Sequence, residues 1–231
     1  MKVLIISGTN HKGSTYSIGR IMAEKLTNTE NIRELFLPRD FDEFCCGCTN
    51  CFVKGAETCP HAGKLKPITE LIDDSDVLIL TSPVYVYHCT GQMKAFLDHY
   101  GWRWMSHRPN EGMFKKQAVV VSTAAGAGVK STMKDMADSC FYWGIPKTYK
   151  LVRPVAAVDW QSVKPKIKEK INAKAEAIAK KILKRQGKIK VQIKTKAFFK
   201  IMSLMQRNGW NKADMDYWKE KGWTGSKRPW K

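Results

Sequence analysis

Two apolar periods alternate along this chain, and that alternation limits its fold more than any other feature. Short strand-like segments rich in apolar residues lie at Lys2–Ile6, Ile32–Leu37, Val77–Leu80, Ala118–Val121 and Thr148–Val152. Between them the apolar residues recur every three or four positions. Tyr16–Leu26 places Ile18, Ile21, Met22 and Leu26 on one helical face, and Leu65–Ile72 does the same with Ile68, Leu71 and Ile72. Gln92–Tyr100 and Lys130–Tyr142 read as further helices. Residues 162–186 carry Val163, Ile167, Ile171, Ala175, Ile178 and Ile182 at helical spacing, with lysines on the remaining faces. A strand with no polar face is buried on both sides. Five such strands joined by helices imply right-handed crossovers and a doubly wound α/β fold, a five-stranded parallel sheet with helices on both faces.

The pattern changes after Gly187. Ala197–Arg207 sets Phe198, Ile201, Met202 and Met205 on one face, and Asn211 is placed to cap a last helix, Lys212–Lys221, with Gly222 as its stop. The expected organisation is a domain over residues 1–187, with a cysteine-rich loop at 45–63, and a basic, tryptophan-rich helical extension over 188–231. Charge divides the chain in nearly the same place. Of the net +19, residues 150–231 carry +17 and residues 1–149 only +2. No uncharged apolar run approaches the roughly 18 residues of a membrane span. The first apolar run is too short for a signal-peptide core, so the expected location is cytoplasmic.

The loops after the first, third and fourth strands carry the chemistry. Ser7-Gly8-Thr9-Asn10-His11-Lys12-Gly13-Ser14-Thr15-Tyr16 offers hydroxyls and free amides at a helix start, where the dipole and unpaired N–H groups stabilise a phosphate. The loop lacks both the Gly-Lys-Ser/Thr of nucleoside-triphosphate sites and the three-glycine dinucleotide fingerprint. Ser82-Pro83-Val84-Tyr85-Val86-Tyr87 brings aromatics and a fixed proline. Thr123-Ala124-Ala125-Gly126-Ala127-Gly128 brings small residues whose backbone can approach a flat ring. In a doubly wound sheet these three strand ends converge where ligands bind.

The residues Gly8-Thr9-x-His11-x-x-Ser14, Ser82-Pro83-Val84-Tyr85, Gln92-x-Lys94-x-Phe96-x-Asp98 and Gly126/Gly128 resemble the NADPH-dependent FMN reductase group of the flavodoxin-like superfamily, over about residues 1–150. The resemblance implies FMN, with its phosphate at Thr9–Tyr16 and its ring between Pro83–Tyr87 and Thr123–Gly128. It also implies NAD(P)H as electron donor. That group often has Arg where His11 stands, which leaves His11 or Lys12 to face the phosphate. The flavin supplies the chemistry, so no side chain is expected as a general acid or base.

Five of the seven cysteines lie within fifteen positions, in the spacing Cys45-x2-Cys48-x2-Cys51-x7-Cys59-Pro60 with Cys46 beside them. Three thiolates at intervals of three can wrap one face of an iron–sulfur cube, with a fourth returned by a short loop. This spacing is similar to that of iron–sulfur flavoproteins, a branch of the same superfamily in which a 4Fe-4S cluster exchanges electrons with FMN. A structural zinc, a redox-active dithiol and metal-free cysteines are the alternatives. Cys46 is expected to stand outside the set, Cys89 and Cys140 to be buried thiols, and His61, His88, His99 and His107 to lack metal-ligand spacing.

The function expected is therefore an FMN-dependent oxidoreductase that passes electrons from NAD(P)H or an iron–sulfur cluster to a small-molecule or protein acceptor. Its rivals are a metal-free flavin or quinone reductase, a small electron carrier, and a nucleic-acid or membrane module carried by the basic tail. No nucleic-acid signature accompanies the charge. The apolar face of Phe198, Ile201 and Met205, with Trp210, is expected to meet a second copy of the chain or its own cysteine loop, making a homo-oligomer the expected assembly.

Overall fold

A computed structural model describes residues 1–155, 157, 159–209 and 211–231, so Trp210 lies outside the described residues. The elements in chain order are β1 (Val3–Ser7), α1 (Ser14–Glu24), β2 (Ile32–Phe36), α2 (Asn50–Val53), α3 (Ala62–Asp74), β3 (Val77–Thr81), α4 (Gly91–Asp98), β4 (Gln117–Ala124), α5 (Val129–Tyr142), β5 (Lys147–Pro154), α6 (Pro165–Arg185), α7 (Ile193–Met205) and α8 (Lys212–Glu220). All strand pairs are parallel, in the order β2-β1-β3-β4-β5. This is the flavodoxin-like order, and its switch point lies between β1 and β3.

The side-chain period of two explains why the central strands are apolar throughout. Leu4, Ile6, Leu78, Leu80, Ala118 and Val120 enter one core with residues of α3, α4 and α5. Val3, Ile5, Val77, Ile79, Val119 and Val121 enter the opposite core with α1 and α6. A third cluster joins Phe199, Met202, Trp218 and Trp223 of the C-terminal segment to Met105 and Phe114 of the body.

Most differences from the sequence reading lie at element ends. Pro165 opens α6 three residues later than the periodicity suggests, because proline suits the first turn of a helix. The cysteine-rich stretch, which shows no period, contains the four-residue α2. Phe198, expected to meet a second copy or the cysteine loop, instead packs on Phe141 and Tyr142 of its own chain, with ring centroids 5.6 and 5.5 Å away. Gly222 does stop α8, adopting the left-handed φ of 67°.

Candidate functional site

At the carboxyl edge of the sheet a cavity of about 290 Å³ is lined by Thr9, His11, Gly13–Tyr16, Pro83–Tyr85, Thr123–Ala125, Val155 and Ala157. The loop after β1 is held close to β3. The amide of Gly8 donates to Thr81 O at 2.7 Å, and the Thr90 hydroxyl donates to Gly8 O at 2.6 Å. A Cβ on Gly8 would stand 2.7 Å from Thr90 Oγ1, so glycine permits this approach. Across the cavity floor the Thr15 and Thr123 hydroxyls meet at 2.5 Å and tie α1 to the end of β4.

The anion-binding character of the α1 end rests on more than its dipole. The first N–H groups of a helix have no intrahelical acceptor, and Gly13 supplies no side-chain cap. Ser14 Oγ is buried without a hydrogen-bond partner. An orphaned buried hydroxyl is costly unless a ligand completes it, and an anion such as a phosphate would supply the missing acceptor. His11 stands in the cavity wall, whereas the Lys12 ammonium lies over the rings of Tyr16 and Phe36, 5.4 and 5.3 Å from their centroids. Tyr16 lines the cavity, and its phenol donates to Glu34 at 3.1 Å. Burial, and then the Glu34 charge, push its pKa up.

Several expected ring contacts do not line the cavity. Ser82 is buried beneath it, where its hydroxyl donates to Pro83 O at 2.9 Å and accepts from Thr90 N at 3.0 Å. Val86 and Tyr87 form the tip of a tight turn closed by two Tyr85–His88 backbone bonds of 3.0 Å, and both tip residues have positive φ, 47° and 65°. Val86 is 94% exposed. A β-branched residue in the left-handed region is strained, a condition that collects at binding loops. Gly126 is exposed, away from the cavity lining. Gly128 caps α5 at φ 87°, and a Cβ there would lie 2.5 Å from Val84 Cγ1. It therefore packs two cavity loops together rather than touching a ligand. Val155 and Ala157, which complete the wall after β5, carry no motif that sequence reasoning could use.

The cysteine loop is organised differently. Gly47, Thr49 and Gly55 take positive φ and turn the chain, and α2 is fixed by side chains from far along the sequence. Arg108 donates to the carbonyls of Cys51 and Phe52, and Asn211 Nδ2 donates to Phe52 O at 2.9 Å. Arg108 is itself bound by the buried Asp214, which also meets His107 Nδ1 at 2.7 Å.

Burial pushes the Cys51 thiol up, and charge on Cys59, Cys45 or Cys48 would push it further. Burial raises Cys59 likewise, and charge on Cys48, Cys45 or Cys46 adds to it. These thiols therefore share one locality, and a cation among them would reverse the shift. Among the described residues, no three cysteine sulfurs lie within 4.8 Å of one another. A tetrahedral zinc with Zn–S of about 2.3 Å needs its sulfurs about 3.8 Å apart.

The set that does fall within 4.8 Å is Cys59, His61 and His99. His99 Nδ1 lies 2.8 Å from the carbonyl of Ala95, which can only accept, so Nδ1 carries the proton and Nε2 receives the His61 Nδ1 hydrogen at 2.9 Å. His61 and His99 are 38 residues apart, which is why their spacing signals nothing. Beneath them a separate cavity of about 450 Å³ is walled by Cys59, Leu65, Thr69, His99, Tyr100 and Trp102. Of the neighbouring residues, Arg103 is buried and paired with Asp73, while Trp104 stacks on Tyr142 at 4.3 Å.

The sheet order defines a flavodoxin-like fold, with a cavity where β1, β3 and β4 end. The sequence pattern of the NADPH-dependent FMN reductase family matches residues 1–149, and the chain belongs to that family. An iron-sulfur flavoprotein of Archaeoglobus fulgidus is 31% identical over 136 residues, 55% of this chain and 56% of the relative. One from Methanocaldococcus jannaschii is 28% identical over 99 residues, 42% of this chain and 50% of the relative. The matched region thus spans about half the length of these curated relatives. The solved NAD(P)H:quinone oxidoreductase from Methanothermobacter marburgensis superposes with a TM-score of 0.60 at 15% identity, covering 78% of this chain and 95% of that one, which shows a shared fold.

Proposed function

We propose that the chain is an FMN-dependent NAD(P)H oxidoreductase. In this reading Cys45, Cys48, Cys51 and Cys59 hold a 4Fe-4S cluster that exchanges electrons with the flavin, and a small-molecule or protein acceptor takes them on. The observation that carries the flavin half is the buried, unpartnered Ser14 hydroxyl beside an uncapped helix start, in the strand-end cavity of a chain from this family. Bound FMN would supply hydride acceptance from the nicotinamide. The α1 amides, Ser14 and Thr15 hold the phosphate, His11 faces it, and Pro83–Tyr85 with Thr123–Ala125 flank the ring.

The name borne by the Archaeoglobus fulgidus and Methanocaldococcus jannaschii relatives supports the cluster half, together with the closeness of the loop's thiols to one another, Cys46 among them. A metal-free NAD(P)H-dependent flavin or quinone reductase is the second reading, favoured by the exposure of Cys45 and Cys48.

Anaerobic reconstitution with iron, sulfide and FMN tests both halves. The expected absorption shows flavin bands and a broad brown shoulder. Single Cys→Ala changes at 45, 48, 51 and 59 should remove the shoulder and its iron while leaving the flavin, and Cys46→Ala should retain both. Flavin without iron in the unaltered chain would establish the metal-free reading. Failure to quench added FMN fluorescence would end both.

A further inference from the structure

The function proposed above leaves the outer face of α7 unused. Helix α7 is 13 residues long, about 20 Å. Its inner face, with Phe199 and Met202, is buried against the body, and Ser203 donates to Trp223 O at 2.7 Å. Outward, Ile193, Ala197, Ile201 and Leu204 follow one another at intervals of four, four and three, so they form a single stripe. Ile193 is 86% exposed, and Ile201, Leu204 and the neighbouring Met205 are each more than half exposed. Four of the large apolar side chains most open to solvent therefore sit on one short helix.

The charge around this stripe has one sign. Between Glu176 and Asp214 the chain holds eleven Lys and Arg residues and no acidic residue. Lys196 and Lys200 flank the stripe on one side, whereas the Lys194 ammonium lies over the Phe141 ring, 4.5 Å from its centroid. Among the described residues only two of the eleven, Lys180 and Lys212, form ion pairs, with Glu176 at 3.8 Å and Asp216 at 2.5 Å. Positive charge of this density is not neutralised by the protein itself.

Three kinds of partner could cover such a face, and the observations separate them. A second copy in a twofold contact would set the same lysines against each other, since an isologous interface pairs a patch with itself. Single-stranded nucleic acid recognises cations interleaved with exposed aromatic rings. Here the exposed side chains are aliphatic, while Phe199 is buried and Phe198 packs on Phe141 and Tyr142. A layer that offers negative headgroups around an aliphatic interior matches both features at once. We propose that α7 lies flat on the surface of an anionic phospholipid membrane, with Ile193, Ile201 and Leu204 seated in the acyl boundary and Lys196 and Lys200 among the headgroups. No helix among the described residues is long and apolar enough to cross a membrane, so the contact is peripheral.

Co-sedimentation of the full chain with phosphatidylglycerol–phosphatidylcholine vesicles and with pure phosphatidylcholine vesicles tests this. Binding to the anionic vesicles should be at least tenfold tighter than to the neutral ones and should weaken as salt is raised. Ile193→Ser with Leu204→Ser should weaken it about tenfold, and Lys196→Glu with Lys200→Glu at least as much. These side chains are exposed, so thermal unfolding should be unchanged. Equal binding to both vesicles overturns the proposal, as does binding that ignores the serine variant. So does a vesicle-free dimer abolished by Ile201→Ser, or tighter retention of single-stranded RNA than of anionic vesicles. The unaltered protein alone decides the first of these, and neither flavin nor iron content affects it.

Discussion

The two loop systems at the carboxyl edge of the sheet are held in contrasting ways. The strand-end cavity is built by the strands that end beside it: Gly8 is clamped by Thr81 and Thr90, Thr15 meets Thr123, and Val84 N donates to Thr123 O at 3.0 Å. Its walls come from the β-sheet scaffold itself. The cysteine loop has no strand behind it, and Arg108 and Asn211 hold it by its carbonyls, with Asp214 holding Arg108. A cavity made by a sheet is as stable as the sheet. A loop tied by the side chains of Arg108, Asn211 and Asp214 is as stable as those ties, so the C-terminal helices act as a brace for it.

Asp214→Ala should break this contrast most strongly. The carboxylate is 1% exposed and bonds to both Arg108 and His107. Removing one member of a buried ionic set costs about 3–5 kcal/mol, because the remaining charge is left unpaired. The expected result is a lower thermal midpoint and poor recovery of iron on reconstitution, with FMN affinity per folded molecule unchanged. Equal losses of iron and FMN would show that the two loop systems are not independent.

Gly128→Ala attacks the other side. A left-handed alanine costs about 1–2 kcal/mol, and the overlap of its Cβ with Val84, only 2.5 Å away, adds about 1–3 kcal/mol by overpacking. Val84 is a cavity wall, so FMN binding should weaken with the fold while iron incorporation holds. Titrated flavin fluorescence and iron assay on the same sample separate the two.

Ser14→Ala is smaller and more pointed. It deletes a buried hydroxyl that lacks a partner, so the flavin-free protein should be no less stable and may be compared directly by thermal unfolding. FMN should bind about tenfold more weakly, a loss of about 1.4 kcal/mol, and riboflavin, which has no phosphate, should be unaffected. A parallel loss for riboflavin would move the phosphate away from α1.

The sequence displays the scaffold and the strand-end loops because each is a local pattern: runs of apolar residues, a glycine-hydroxyl stretch at a helix start, cysteines at fixed intervals. It does not display what depends on residues distant along the chain. Asp214 reads as an ordinary acid in a helix of mixed charge, yet it is the buried anchor of Arg108, 106 residues away. His61 and His99 look unrelated until α3 and α4 pack side by side. Val86 and Tyr87 look like ring contacts because they follow Pro83-Val84-Tyr85, but the turn between Tyr85 and His88 swings them to solvent. The charge asymmetry is plain in the composition, whereas the exposed face of α7 emerges only once Phe199 and Met202 are seen to face inward.

The finest distinction between the two sides is one of titration. Tyr100 lies in the wall of the cavity beside Cys59, and its hydroxyl and that of Thr69 share a hydrogen bond of 3.0 Å. Burial pushes its pKa up from 10.0 to about 12. The folded chain therefore keeps this proton at a pH where the unfolded chain releases it. The stabilisation is complete below pH 10 and is lost as pH rises toward about 12, by roughly 1.4 kcal/mol per pH unit. Tyr100→Phe removes one hydrogen bond, worth about 1 kcal/mol, together with the whole of that alkaline loss. The variant should then be less stable than the unaltered chain at pH 8, equal to it near pH 11 and more stable above that. Urea unfolding at pH 8, 10 and 11.5 measures the crossing. Parallel stability curves without a crossing would mean that the Tyr100 hydroxyl ionises freely, and that the wall of this cavity admits water.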